Sequence, residues 1–156
     1  MEQLTWLELH SDKMHNFLQE DEFYSTPLRD ALKISIPFKS LHDCLHGYDK
    51  AGSYLRKRSV TLEEKGRISS CFGLAIAKFL IEQKHFKWKL KRRSWTKIYY
   101  EPLILYKNDQ YTDPVGVSVR CLTKNRKLSF EFYYWALTDI TFDDLSKELL
   151  SEQVES

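Results

Sequence analysis

The stretch from Thr61 to Arg93 constrains the fold of this chain more than any other. It begins with apolar residues at helical spacing and ends with a run in which apolar residues alternate with lysines. Thr61 and Glu64 have the spacing of a capping box, in which the hydroxyl accepts a backbone N–H and the carboxylate reaches back. The sequence therefore predicts a core helix over residues 61–83.

The apolar stripe of this helix is broad enough to pack against a sheet. It consists of Ile68, Cys71, Phe72, Ala75, Ile76, Phe79 and Leu80. Gly66 and Gly73 each weaken a helix by about 1 kcal/mol relative to alanine. We expect Gly73 to permit a close backbone contact instead.

The segment after the core helix has the period of two that is typical of a half-buried strand. Its apolar face would carry Phe86, Trp88 and Leu90, and its cationic face Lys87, Lys89 and Lys91. Further strands are predicted over residues 95–106, 115–121 and 128–137. Short turns between them favour an antiparallel meander.

The N-terminal third is expected to be helical. Apolar residues recur at helical steps over residues 2–24 and 40–50. Pro27 predicts a break and a new helix start, Gly47 predicts a helix stop, and residues 51–60 are expected to form a loop.

Together these patterns predict one α+β domain spanning residues 1–156. It would contain a helical N-terminal part (1–60), the core helix (61–83), a four-stranded antiparallel sheet (84–138) and a C-terminal helix (141–150). Thr141 would cap that last helix.

The charge of the chain is segregated although its formal net value is only +2. Residues 1–50 contain five basic and nine acidic side chains, residues 51–100 thirteen and three, and residues 101–156 six and ten. A basic middle between acidic ends can attract an anionic partner or neutralise itself within the fold.

The three cysteines, Cys44, Cys71 and Cys121, are odd in number and far apart, which favours buried thiols and a reducing compartment. An apolar N-terminal leader and a run long enough to cross a membrane are both missing from the sequence. We therefore expect a cytoplasmic protein that does not bind a membrane.

The basic segment offers one candidate function, the binding of RNA or DNA. Phosphates would contact Lys87, Lys89, Lys91, Arg92 and Arg93, and bases would stack on Tyr99, Tyr133 or Trp135. The alternative interpretation is structural, because lysines on a strand edge prevent aggregation and can pair with the acidic ends of the chain.

The same sheet face offers a second candidate function, the binding of another protein. Aromatic side chains among charged ones are typical of interface hot spots. The predicted surface consists of Tyr99, Arg120, Glu131, Tyr133 and Trp135. The alternative is that the N-terminal helices cover this face as a second core layer.

Catalytic and metal-binding patterns are weak. His42 and His46 share a helix face, but the glutamate of the HExxH pattern is missing, and surface histidines explain the pair better. Asp113 and Glu131 are better explained as a turn residue and a strand-face residue than as a metal pair. No phosphate-binding glycine loop or nucleophile motif is present, so no cofactor is expected.

The sequence therefore predicts a protein that binds another macromolecule without catalysis. A small inhibitor or a toxin-immunity type of protein, acting through a protein interface, fits an aromatic-rich chain without catalytic motifs. The alternative is a protein that binds RNA or DNA through its basic segment.

Overall fold

A computed structural model describes residues 22–90, 103–123 and 128–155 of the chain. Its helices are α1 (Glu22–Leu32), α2 (Leu41–Leu55), α3 (Leu62–Lys84), α4 (Pro114–Leu122), α5 (Phe130–Thr138) and α6 (Phe142–Glu155). Its strands are β1 (Lys87–Leu90), β2 (Leu103–Lys107) and β3 (Gln110–Thr112), which form an antiparallel sheet in that order. The predicted α+β fold with a four-stranded sheet is therefore wrong, because the described chain is mainly helical.

Helix α3 lies at the centre, as the predicted core helix. The Thr61 hydroxyl accepts the backbone N–H of Glu64 at 3.1 Å, and His85 ends the helix in the left-handed region with φ 64°. Every residue from Ile68 to Leu80 is buried. A helix buried on all sides needs neighbours all round, and α3 packs against α1, α2 and, most extensively, α4.

The segment predicted as the third strand, residues 115–121, is helix α4. Asp113 caps it by accepting the backbone N–H of Gly116 at 3.0 Å, and Pro114 occupies the first turn. Proline suits that position because its missing N–H would have no helical partner there. The strand was predicted because the valines alternate with other residues, and the helix cap at Asp113 was overlooked.

The segment predicted as the fourth strand, residues 128–137, is helix α5. The Ser129 hydroxyl accepts the backbone N–H of Phe132 at 3.1 Å and starts the helix. The buried residues of α5 are Phe130, Tyr133, Tyr134 and Leu137. The other three lie three, four and seven positions after Phe130, which is the spacing of one helix face. The helical spacing therefore prevails over the alternation of aromatic residues that predicted a strand.

The N-terminal predictions were partly wrong. Helix α2 continues through Gly47 and through half of the expected loop over residues 51–60. A Cβ at Gly47 would lie 2.8 Å from the Phe38 ring, so this glycine makes room for packing. Pro27 lies inside α1 and does not break it. Most of the predicted helix over residues 2–24 lies outside the described residues.

Of the four predicted strands, only the first and the end of the second are strands in the described part of the structure. Strand β1 lies in the alternating basic run. Its first residue, Lys87, is exposed, and the preceding Phe86 is buried. Strand β2 matches the end of the second predicted strand, whose residues 95–102 lie outside the described part. Strand β3 was not predicted.

The end of helix α6 contacts the start of α2 through hydrogen bonds from Leu41 and His42 to Glu152. The Thr141 hydroxyl caps α6 as predicted, accepting the backbone N–H of Asp144 at 3.1 Å. The Glu152 carboxylate accepts the backbone N–H groups of Leu41 and His42 at 2.6 and 3.1 Å, and lies 2.7 Å from His42 Nδ1. A carboxylate at a helix N-terminus satisfies orphan N–H groups and the helix dipole.

Replacing Glu152 with alanine is expected to lower the free energy of unfolding by about 1–2 kcal/mol, because two half-buried N–H groups lose their acceptor. Urea denaturation measures the change. The control is Glu148→Ala on the same helix, whose carboxylate pairs with Lys84 at 3.4 Å and is expected to contribute less than about 1 kcal/mol. Equal losses in the two variants would contradict a capping role for Glu152.

Candidate binding surface

An open groove of about 430 Å³ lies between strand β3 and the C-terminal half of helix α5. We call it the aromatic groove. It is lined by Phe86, Gln110, Tyr111, Thr112, Trp135, Ala136, Leu137, Thr138 and Asp139. Tyr111 is 64% exposed and Trp135 43% exposed, so the groove presents large aromatic side chains to solvent.

The β2–β3 hairpin places one wall of the aromatic groove. Lys107 and Gln110 are paired on either side of the two-residue turn at Asn108 and Asp109. Asn108 has a φ of 56°, as expected of asparagine in such a tight hairpin turn. The turn fixes the register of β3, which pairs Tyr111 with Tyr106.

Helix α5 places the other wall. Trp135 lies on its solvent side, 5.7 Å between ring centroids from the 40% exposed Phe132. Asp139 ends the helix in the left-handed region with φ 61°, and its backbone N–H donates to the Trp135 carbonyl oxygen at 2.8 Å. Gln110 Nε2 donates to Asp139 Oδ2 at 3.1 Å and joins the two walls.

The opposite side of α5 is anchored in the core. Tyr133 is fully buried, its hydroxyl lies 2.6 Å from Ser118 Oγ, and its ring stacks on Tyr48 with centroids 4.6 Å apart. Burial raises the pKa of Tyr133 well above its ordinary value, although the hydrogen bond with Ser118 lowers it. Tyr133 therefore lies in the core and not on the exposed surface where the sequence placed it.

The other predicted contact residues that the structure describes do not lie together on one surface. Lys87 and Arg120 are exposed on β1 and α4, and neither lines the aromatic groove. Glu131 is half-buried, four residues before Trp135. Lys89 lies in β1. Four predicted residues lie outside the described part of the chain: Lys91, Arg92, Arg93 and Tyr99.

Among the described residues of the predicted surface, Trp135 alone lines the aromatic groove. Sequence reasoning missed Tyr111 and Asp139, which complete it. A short turn was expected between the second and third predicted strands, and a two-residue hairpin at Asn108-Asp109 would have made residues 110–112 a strand. Reading α5 with a helical period would have placed Asp139 at its end.

A second groove, of about 410 Å³, lies beside α1, α2 and α3, and three of its polar side chains are hydrogen-bonded to one another. Arg67 donates to Glu64 through Nε at 2.6 Å and Nη2 at 2.8 Å, and the Tyr54 hydroxyl donates to the same carboxylate at 2.9 Å. The hydrogen bond from Arg67 lowers the pKa of Glu64. The hydrogen bond from Tyr54 to Glu64 joins α2 to α3.

Within the described ranges, no three metal-ligating side chains lie together. His42 pairs with Glu152, while His46 is exposed. The cysteines are buried as predicted, and burial raises the pKa of Cys44 well above its ordinary value and that of Cys71 to about 12. The thiols of Cys44 and Cys71 are therefore protonated at neutral pH and poor nucleophiles.

No known protein family, curated protein or solved structure matches this chain. In the part that the structure describes, every helix is too short or too polar to cross a membrane.

Proposed function

We propose that this protein binds another protein through the aromatic groove and acts without catalysis, as a small inhibitor or a toxin-immunity type of protein. The observation that carries the proposal is the exposure of Tyr111, Phe132 and Trp135 on one continuous surface. Aromatic side chains of this size dominate the free energy of protein association when a partner covers them.

The rigidity of α5 supports the same function. Its inner face is fixed by the Tyr133–Ser118 hydrogen bond and the ring stack on Tyr48. A side chain presented from a fixed helix loses less conformational entropy on binding than one presented from a loose loop. Trp135 is therefore suited to act as an anchor.

Binding of RNA or DNA by the basic segment is the second candidate function. The exposed Lys87 at the start of β1 favours it. The burial of Tyr133 disfavours it, because one of the rings expected to stack on bases does not reach solvent.

A reducing compartment such as the cytoplasm suits the proposed function. Cys44, Cys71 and Cys121 are buried thiols that form no disulfide with one another. Free thiols are typical of proteins that remain in reducing compartments.

Affinity capture from the native cell tests the proposal. The Trp135→Ala variant is expected to lose a protein that the unchanged chain captures after nuclease treatment, because the anchor of the interface is removed. The control is Leu62→Ala, which removes a 58% exposed apolar side chain at the start of α3 and is expected to retain that protein. The captured protein is then purified and its binding to the three chains is measured directly.

Two results would overturn the proposal. One is capture of the same proteins by the Trp135→Ala variant and by the unchanged chain. The other is loss of all partners on nuclease treatment, which would favour nucleic-acid binding through the basic segment.

A further inference from the structure

We infer that the aromatic groove accepts an arginine side chain from a basic segment of the partner protein. This inference rests on the proposed function and specifies the chemistry of the partner. Three features of the groove favour an arginine side chain: its formal charge, the helix end that it contains, and its aromatic rings.

Among the described residues that line the groove, Asp139 alone carries a formal charge, which is negative, and the ammonium of Lys107 lies beside the groove over the Phe86 ring. The Asp139 carboxylate is exposed and accepts one hydrogen bond, from Gln110 at 3.1 Å. A carboxylate has capacity for several more donors, so Asp139 can accept an N–H from a partner without losing Gln110.

The end of α5 adds to this negative potential. Ala136, Leu137 and Thr138 form its last turn and line the groove. The last carbonyl groups of a helix carry a partial negative charge, which basic side chains commonly neutralise. The last turn of α5 contains no basic residue. A cation from a partner would interact favourably with this helix end.

The rings of Tyr111 and Trp135 provide the third feature. Both line the groove and both are substantially exposed. The face of an aromatic ring attracts a cation, and tryptophan does so best. Another ring of the groove already interacts in this way, because Lys107 Nζ lies 5.6 Å from the centroid of Phe86.

Arginine fits this combination better than lysine. Its planar guanidinium can stack on a ring while its N–H groups donate to a carboxylate. Lysine carries a compact, strongly hydrated charge that does not stack. The carboxylate of Asp139 repels phosphate groups, so this part of the aromatic groove suits a basic peptide better than a nucleic acid.

The test uses a fluorescently labelled peptide in which arginines alternate with glycines. Its control is the same peptide with citrulline, a neutral isostere, in place of arginine. Fluorescence anisotropy at low salt is expected to show that the citrulline peptide binds at least about ten-fold more weakly to the unchanged chain, because it lacks the cation.

Two variants locate the binding site. Trp135→Ala and Asp139→Asn are each expected to weaken binding of the arginine peptide by about three- to ten-fold. Asparagine tolerates the left-handed backbone at position 139, so the second change removes charge without strain. The matched control is Asp30→Asn, which neutralises an exposed carboxylate in the second groove and is expected to leave binding unchanged.

Three results would overturn the inference: no binding of the arginine peptide, equal binding of the citrulline peptide, or equal binding by the Trp135→Ala and Asp139→Asn variants. Circular dichroism of each variant shows whether it is folded. If the capture experiment yields a protein that depends on Trp135 but the peptide test fails, the inference fails while the proposed function stands. If both fail, the aromatic groove has no role in binding.

Discussion

Replacing Gly73 with alanine is expected to lower the free energy of unfolding by about 2–3 kcal/mol, although alanine is the better helix former. A Cβ at this position would lie 2.6 Å from Val115 Cα and 2.9 Å from the Pro114 carbonyl oxygen. Both are backbone atoms, so relief requires α3 and α4 to move apart. That movement would loosen the most extensive contact between helices in the described structure.

The control for this prediction is Gly52→Ala in α2. Gly52 is also buried in a helix, but its Cβ would meet only the flexible end of Arg56, at 2.9 Å. The helix preference for alanine then prevails, and the variant is expected to be more stable by up to about 1 kcal/mol. Chemical denaturation measures both changes. A gain in stability for Gly73→Ala would contradict the close packing of α3 on α4.

The parts of the fold that the sequence predicted correctly depend on local signals. The Thr61 cap starts α3, and the apolar stripe that follows is long enough to define a helix by itself. The alternation after residue 85 indicated β1, and Thr141 indicated the start of α6. The close contact expected at Gly73 is present as well.

The prediction failed where two periodicities coexist in one segment. Residues 115–121 alternate valine with small or polar residues, and residues 128–137 are rich in aromatics, so both have high strand propensity. Packing decided otherwise, because α3 is buried from Ile68 to Leu80 and α4 packs against it most extensively. The caps at Asp113 and Ser129 were the local signals that could have corrected the prediction.

The candidate site was only partly predictable for the same reason. Trp135 was recognised as an exposed aromatic residue, but on the wrong element. A strand places Tyr133 and Trp135 on one face, whereas a helix rotates them by about 200° relative to each other. One consequence is that Tyr133 enters the core while Trp135 faces the aromatic groove.

The charge of a segment of the sequence does not predict the charge of the surface that it forms in the fold. The basic middle suggested an anionic partner, whereas the aromatic groove carries its charge on Asp139, from the acidic C-terminal third. The ammonium group of Lys107 lies beside the groove. It donates to the Lys84 carbonyl oxygen at 2.9 Å and lies over the Phe86 ring. Net charge by segment therefore does not identify the charge of a particular surface.

Replacing Tyr133 with alanine is expected to lower the free energy of unfolding by about 3–5 kcal/mol, the typical loss for a large aromatic side chain in a core. The change would leave a cavity among Tyr48, Phe72 and Phe130, which all contact its ring. It would also remove the partner of the buried Ser118 hydroxyl. Thermal and urea denaturation measure the loss.

The control is Trp135→Ala, two residues further along α5. Because Trp135 is 43% exposed, its removal is expected to change the free energy of unfolding by less than about 1 kcal/mol. The pair separates stability from binding. Tyr133→Ala is expected to weaken every function through unfolding, whereas Trp135→Ala is expected to weaken only the binding that we propose for the aromatic groove. Comparable losses of stability in the two variants would contradict the helical structure of residues 130–138, because only a helix buries one of these rings and exposes the other.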